Sequence, residues 1–159
     1  MGRLSLITIV TGVALMFGSA VHAQQQPSSP PPPPAAYGMP ISLEQAKAAI
    51  AGAAAESKKN GWNHVFAVVD GGGNLIAFEK ADLAGNASIR IAQAKARMAA
   101  GYRVPTKVYQ DRLAAGENFI LGLPGAVPAA GGVPIVVDGK LATALQDHQS
   151  AEAGAAAVK

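Results

Sequence analysis

The sequence contains no cysteine, which excludes disulfides, thiolate metal sites and thiol nucleophiles. Only 14% of the residues are charged and 5% are aromatic, so small aliphatic side chains must build most of the core. The formal net charge is +3 with no basic run, which argues against binding to nucleic acid and is too small to imply a patch for a membrane surface. The motifs of zinc proteases, serine hydrolases and phosphate-binding loops are also missing. These absences favour a binding protein over an enzyme with a recognisable catalytic set.

The N-terminus has the pattern of a secretory signal peptide. A short positive start, Met1–Arg3, precedes an apolar run over Leu4–Ala20, and the small residues Val21 and Ala23 suit a signal peptidase. The run is short and interrupted by glycine, so a spanning helix is not expected. We therefore predict a signal peptide over 1–23, a periplasmic or secreted protein, and no membrane span after cleavage. An uncleaved N-terminal anchor is the alternative.

A proline-rich segment follows the predicted cleavage site. Proline fixes φ and lacks an amide donor, so Pro30–Pro34 is expected to be an extended polyproline II stretch. We predict that residues 24–38 form a spacer and that residues 39–159 form one domain. A proline-motif ligand for a partner is the alternative for this segment.

The first element of the domain is predicted to be a helix. Ser42 can cap its start, with Gln45 in the position that a capping box requires, and Asn60-Gly61 end it. The predicted apolar face comprises Leu43, Ala46, Ala49, Ile50, Ala53 and Ala54.

Two hairpins and further helices complete the pattern. Val65–Val69 and Leu75–Glu79 flank the turn Asp70–Asn74, and a second pair of strands flanks Asp138-Gly139. The second pair is Gly132–Val137, with Pro134 indicating an edge or a strand start, and Lys140–Leu145. Helices are predicted over 88–100, 108–113 and 149–158, with a long loop over 114–131. No βαβ alternation occurs, so the prediction is an α+β fold with an antiparallel sheet and helices packed on it.

Candidate ligand-binding side chains cluster around a predicted helix break. Arg97, Tyr102, Thr106 and Tyr109 bring hydroxyl and guanidinium groups together there. Such groups can hold an anionic planar ligand, for example a porphyrin with propionates. The alternative is that these residues cap helices and line a subunit interface.

Histidine and carboxylate residues give weaker signals. His148 lies beside Asp147 at the predicted start of the last helix, where a neutral imidazole can coordinate a metal while the carboxylate orients it. A solvated residue in the first turn is the alternative. His64, just before a strand, is expected to be a surface or strand-edge residue. Asp70 and Asp138 open glycine turns, and no spacing forces two acids onto one face, so acid–base hydrolysis gains no support.

Several segments, taken together, resemble the GlcG/HbpS-like haem-binding family, which is also called a haem-degrading domain and is related to the PduO C-terminal domain. The resemblance covers the domain from Ile41 to Val158. The similar segments are Ala67–Phe78, Ala92–Ala100 with Pro105-Thr106, Leu123–Gly125 with Gly131–Lys140, and Ala151–Gly154.

The resemblance implies a profilin-like fold, with an antiparallel sheet of about five strands flanked by helices. It also implies binding of haem or a related tetrapyrrole, assembly into a homo-oligomer, and export in some members. By position in the family pattern, Thr106 and His148 are the candidate iron ligands. Two alternatives stay open: an enzyme that degrades haem or acts on a redox cofactor, and a structural or interaction module that keeps the fold without the ligand.

One departure from the family pattern follows the Asp138–Lys140 turn. Only Leu141–Leu145 precede Gln146-Asp147, where the family has a longer, glycine-rich stretch. We therefore expect a shortened final strand and a lost loop before the last helix. Ligand binding would be impaired if that loop touches the ligand, and a shortened edge would disturb oligomer packing.

Overall fold

The computed structural model describes residues 33–146 and 150–158. The predicted signal peptide, the first part of the proline-rich segment and His148 lie outside these residues. In chain order the elements are β1 (Ala36–Tyr37), α1 (Leu43–Lys59), β2 (Val65–Asp70), β3 (Leu75–Lys80), α2 (Asn86–Tyr102), α3 (Thr106–Ala114), a 3-10 helix (Asn118–Gly122), β4 (Gly132–Val137), β5 (Lys140–Gln146) and α4 (Ala151–Ala156).

Helix α1 begins and ends as predicted. The Ser42 hydroxyl accepts from the Gln45 backbone N–H at 3.1 Å, and the Gln45 side chain accepts from the Ser42 N–H at 2.9 Å. Asn60 closes the last turn and Gly61, at φ +70°, leaves the helix. The predicted apolar face is confirmed except at its first position. Leu43 is 50% exposed, because it begins the helix at the rim of the core.

The Asp70–Asn74 turn joins β2 and β3 as predicted. One Asp70 carboxylate oxygen accepts from the N–H groups of Gly72 at 2.9 Å and Asn74 at 2.8 Å. Hydrogen bonds from the Asn74 side chain and backbone hold the pKa of Asp70 below its ordinary value. Gly73 adopts φ +83° with the Arg97 side chain packed against it. The turn is therefore a rigid structural element, which fits the structural role predicted for Asp70.

The second hairpin places β4 at an edge of the sheet. Asp138 and Gly139 both have positive φ, 50° and 73°, as a two-residue turn of this kind requires. Within the part of the chain that the structure describes, β4 pairs only with β5. The side of β4 away from β5 has no strand to bond to, so a proline without an N–H is tolerated there. The edge position predicted from Pro134 is confirmed.

Strand β5 is the central connection of the five-stranded sheet. It pairs antiparallel with β4 on one side and with β2 on the other, and β3 lies beyond β2. Beyond the end of β2, the short β1 pairs in parallel with Lys140 and Leu141. The antiparallel sheet is thus confirmed for the two hairpins, but β1 is a parallel exception within residues assigned to the spacer. Strand β5 spans seven residues, so the shortened segment still forms a full strand.

Helices cover both faces of the sheet and confirm the α+β class. Helices α1 and α4 pack against one face, in a cluster that contains Ile50, Phe66 and Val68. Helix α2 packs against the other face through a stripe of fully buried alanines. The alanines are Ala92, Ala96, Ala99 and Ala100. Because these side chains are small, the α2 backbone lies close to the sheet. Among the described residues, no helix combines the length and hydropathy that crossing a bilayer requires.

Helices α2 and α3 are longer than predicted and meet at a sharp break. Arg103 takes a left-handed conformation, φ 58°, and Pro105 precedes the first residue of α3. The loop from Ala115 onward contains the 3-10 helix and ends at Gly131, whose φ is 131°. This break and this loop position the candidate site described next.

Candidate functional site

A cleft of about 370 Å³ opens between α3, the loop before β4, and α4; we call it the Pro105 cleft. Its lining residues are Pro105, Lys107, Gln110, Ala130, Gly131, Gly132, Val133 and Glu152. Five of them, Pro105, Gly131, Gly132, Val133 and Glu152, come from three of the segments on which the family resemblance depends, although those segments are far apart in the sequence. The volume lies at the lower end of the range for small-molecule sites.

Thr106 lies beneath the Pro105 cleft and is fully buried. Its hydroxyl donates to the Ala129 carbonyl oxygen at 2.7 Å and accepts from the Gly132 N–H at 2.9 Å. Because the side chain is fully buried, an iron ion could reach this oxygen only if the residues around it moved. The geometry therefore favours a structural role for Thr106, which clamps the loop to the start of β4. Its role as an iron ligand stays a prediction that this geometry does not support.

Further contacts fix the loop that forms the cleft floor. The Gln110 side-chain oxygen accepts from the Ala130 N–H at 2.6 Å, and the Lys95 ammonium donates to the Ala130 carbonyl at 2.8 Å. A Cβ at Gly132 would lie 2.5 Å from the Lys95 carbonyl oxygen and 2.7 Å from the Thr106 methyl carbon. Only glycine fits there without displacement of the backbone. The floor is thus held in place before any ligand binds.

The rim of the Pro105 cleft carries charges of both signs. Lys107 forms an ion pair with Asp111 at 2.7 Å, one turn along α3, and both side chains are well exposed. Glu152, also exposed, faces the cleft from α4. An exposed pair of this kind contributes little to stability, so Lys107 can turn toward an anionic group at small cost.

The predicted residues Arg97 and Tyr102 line a different cleft, of about 290 Å³, with Pro124 and Gly125 on its far side. Arg97 donates from Nε to the Gly73 carbonyl oxygen at 3.1 Å. The Tyr102 hydroxyl donates to the Pro124 carbonyl oxygen at 2.9 Å. The Arg97 guanidinium and the Tyr102 hydroxyl are therefore both bonded within the protein. These bonds agree better with the structural alternative than with a ligand-binding role.

Tyr109 is the third member of the predicted cluster and packs edge-on against Tyr102, with ring centroids 5.3 Å apart. The Arg112 guanidinium lies 5.9 Å from the Tyr109 ring centre. Partial burial, with a smaller contribution from Tyr102, raises the pKa of Tyr109, while Arg112 lowers it slightly. The structure thus brings Arg97, Tyr102 and Tyr109 near one another and leaves Thr106 beneath the other cleft.

Sequence reasoning missed the polar rim of the Pro105 cleft. Lys107 and Gln110 are three residues apart, so on a helix that begins at Pro105-Thr106 they share one face. That spacing could have identified them once the helix was extended to Thr106. Glu152 carried no comparable signal, because its position near α3 depends on the tertiary fold.

Within residues 33–146 and 150–158, no group of three or more His, Cys, Asp or Glu side chains is arranged to hold a metal ion. His148, the other predicted iron ligand, lies outside the described residues. Its role stays a prediction.

Sequence comparison identifies the family of this chain. The sequence profile of the family described as "Haem degrading protein HbpS-like" matches residues 41–156. Protein GlcG from Escherichia coli strain K12 is 37% identical over 105 residues, which are 66% of this chain and 78% of that protein.

Structural comparison agrees with the sequence comparison. A crystal structure of HbpS superposes with a TM-score of 0.71 at 30% identity, covering 77% of this chain and 92% of that one. A double mutant of HbpS from Streptomyces reticuli gives a TM-score of 0.69 at 28% identity, covering 93% and 99%. A crystal structure of a PduOC:heme complex gives 0.68 at 20% identity, covering 76% and 96%, which indicates a shared fold. The profilin-like α+β fold is therefore confirmed, and the chain belongs to the GlcG/HbpS-like family.

Proposed function

We propose that this protein binds haem or a related tetrapyrrole in the Pro105 cleft. The observation that carries the proposal is the convergence of three family-like segments, at Pro105, at Gly131–Val133 and at α4, on one preformed cleft. The description of the matching family as haem degrading, and a structural neighbour solved as a complex with heme, support the choice of ligand.

The cleft suits the shape and charge of a tetrapyrrole. The Pro105 ring and the Val133 side chain offer apolar surface, against which hydrophobic burial of a macrocycle is favourable. The Lys107 ammonium at the rim can form an ion pair with a propionate carboxylate of the ligand. Because the cleft is small, we expect one edge of the macrocycle to stay exposed in a single chain.

Among the described residues that line this cleft, there is no histidine, methionine, tyrosine or cysteine to serve as an axial ligand of the iron. Thr106 is fully buried beneath the cleft, with its hydroxyl bonded to Ala129 and Gly132. We therefore favour His148, which precedes α4 in the sequence, as the ligand to test. When bound, haem would supply a redox-active iron and a strong absorption band.

We further propose that the protein acts outside the cytoplasm, as a scavenger, store or sensor partner for the tetrapyrrole, and as a homo-oligomer. The N-terminal signal-peptide pattern is the basis for the location. Degradation of haem is the second candidate function, because the family description names that activity.

A hemin titration followed by the Soret band tests the binding proposal. The wild-type chain is expected to give a shifted band and saturable binding. Lys107→Glu replaces the rim cation by an anion and should weaken hemin binding about five- to tenfold. Lys59→Glu is the matched control, because Lys59 is also an exposed lysine paired with an acid on its own helix. It should bind as the wild type does.

Two further measurements, and one outcome of the titration itself, separate the possibilities. His148→Ala should change the position of the Soret band if His148 is the axial ligand. Addition of a reductant and oxygen should leave the band intact if the protein only binds, whereas loss beyond that of hemin with albumin would favour the enzyme. An unshifted band without saturation would refute the binding proposal and leave a structural module.

A further inference from the structure

A second cleft, of about 570 Å³, lies at the C-terminal end of α1 and has no residue in common with the Pro105 cleft. It opens between the end of α1, the start of β2 and the residues that follow β3. We call it the Trp62 cleft. Its lining includes Ser57, Trp62, His64, Phe66, Lys80 and Leu83.

A hydrogen-bonded network holds one wall of the Trp62 cleft. Ser57 is 3% exposed, and its hydroxyl lies 3.2 Å from the Trp62 carbonyl oxygen and 3.0 Å from His64 Nδ1. A carbonyl oxygen can only accept, so the single hydroxyl proton goes to Trp62 and Nδ1 of the imidazole donates to Ser57. The His64 ring is thereby fixed at its position just before β2, which fits the strand-edge residue expected from the sequence.

The fixed imidazole supports the indole ring beside it. The ring centroids of Trp62 and His64 lie 5.4 Å apart with a tilt of 38°, and Trp62 is only half-buried. Phe66 is almost fully buried below, while Leu83 is 81% exposed at the rim. An aromatic face that is held in place and still open to solvent is what a planar ring system needs for stacking.

The charges around the Trp62 cleft balance one another. Two lysines, Lys58 and Lys80, and two acids, Glu79 and Asp82, contribute to the lining. The Lys80 ammonium also donates to the carbonyl oxygens of Ala81 at 3.3 Å and Asp82 at 3.4 Å, which holds its charge at the turn. A cleft with no net charge gives little attraction to an anion or to a cation. A neutral ligand therefore fits best.

We propose that the Trp62 cleft is a second binding site, which takes a neutral planar heteroaromatic molecule stacked on Trp62. This site is additional to the tetrapyrrole site and does not depend on it. Stacking of a heteroaromatic ring on an aromatic side chain is typically worth enough to change affinity by about tenfold or more. Ser57 and His64 serve as positioning residues for the indole.

Riboflavin is a suitable probe, because it is neutral and its tricyclic ring is planar. Trp62 is the only tryptophan of the chain, so its emission reports directly on the cleft. We expect saturable quenching of both the tryptophan and the flavin emission when riboflavin is added, with free indole as the control for collisional quenching. Trp62→Phe should bind within about fivefold of the wild type, because it keeps a stacking face.

Two leucine variants test the site against non-specific adsorption. Trp62→Leu, followed by flavin emission, should weaken binding about tenfold or more. Tyr102→Leu removes an aromatic ring elsewhere on the surface and should leave riboflavin binding unchanged. Circular dichroism of each variant shows that it is folded. The proposal is overturned if the wild type shows no saturation, if Trp62→Leu binds as well as the wild type, or if Tyr102→Leu weakens binding equally.

Hemin binding distinguishes this proposal from the proposed function. Trp62→Leu should bind hemin as the wild type does, because the two clefts share no residue. Loss of hemin binding in Trp62→Leu would assign haem to the Trp62 cleft and overturn the second site. Riboflavin binding without any hemin binding would refute the tetrapyrrole proposal and leave the second site standing.

Discussion

Replacement of Thr106 by valine tests the clamp at the floor of the Pro105 cleft. Valine has nearly the same shape as threonine, so the substitution removes the hydroxyl without opening a large cavity. It leaves the Gly132 N–H without its acceptor and the Ala129 carbonyl without its donor. Gly132 is buried, whereas Ala129 is partly exposed and can bond to water instead.

The expected cost follows from that difference in burial. A buried group left without a partner typically costs about 1–3 kcal/mol, and here the Gly132 N–H accounts for most of it. For a domain of this size the loss corresponds to a fall in Tm of roughly 3–12 °C. Thr106→Ser keeps both hydrogen bonds and gives up one methyl group, so it should cost about 0.8 kcal/mol.

Chemical denaturation and amide hydrogen exchange provide the measurements. In Thr106→Val, exchange of the Gly132 amide should become faster than in the wild type, while Thr106→Ser should keep it protected. Exchange identifies the broken bond, which the change in stability alone cannot do. If Thr106→Val were as stable as the wild type with unchanged protection at Gly132, the clamp would not exist as described.

Three further predictions concern other parts of the fold. Gly132→Ala should destabilise the protein by about 1–3 kcal/mol in a denaturant titration, because the new Cβ meets the backbone of Lys95. Asp70 has a lower pKa in the folded chain than in the unfolded chain, so its ionised carboxylate stabilises the fold at neutral pH. That stabilisation is lost as the pH falls below about 4. Asp70→Asn should therefore show a smaller loss of stability on acidification than the wild type. Burial raises the pKa of Tyr109 above the ordinary 10.0, so in an alkaline absorbance titration the wild type should show a phenol that ionises late and Tyr109→Phe should lack that late step. If the late part of the curve were the same in both proteins, the burial of Tyr109 would be contradicted.

Local signals predicted most of the fold. The Ser42–Gln45 capping box and the glycine turn after Asp70 each depend on residues that are close together in the sequence. Both hairpins and α1 have the predicted bounds within a residue or two. The parallel strand at Ala36–Tyr37 could not be predicted in this way. Its pairing is held by long-range contacts, such as the hydrogen bonds from the Tyr37 hydroxyl to the Ala100 and Gly101 carbonyl oxygens. The proline-rich stretch just before Ala36 instead favoured an extended spacer over a strand of the sheet.

The site was less predictable than the fold. Residue types indicated that hydroxyl and guanidinium groups near the helix break could bind a ligand, and position along the chain grouped Arg97, Tyr102 and Tyr109. The sequence could not show that Arg97 and Tyr102 already donate hydrogen bonds to backbone carbonyl oxygens, those of Gly73 and Pro124. Whether a polar group faces a ligand or its own backbone is decided by tertiary packing. The same reason explains why His64 seemed unimportant although Ser57 fixes its ring.

Thr106 has two alternative roles in the proposed haem site, and experiment can distinguish them. The resemblance made it a candidate iron ligand, yet its hydroxyl joins Ala129 to Gly132, and those two residues flank the part of the loop that forms the cleft floor. A change at Thr106 would therefore alter ligand binding even if iron never contacts it. An axial-ligand role requires a change in the electronic spectrum of bound haem, whereas a floor role requires only a change in affinity. Loss of affinity in a Thr106 variant is thus no evidence of coordination, and the spectrum of the remaining complex decides between the two roles.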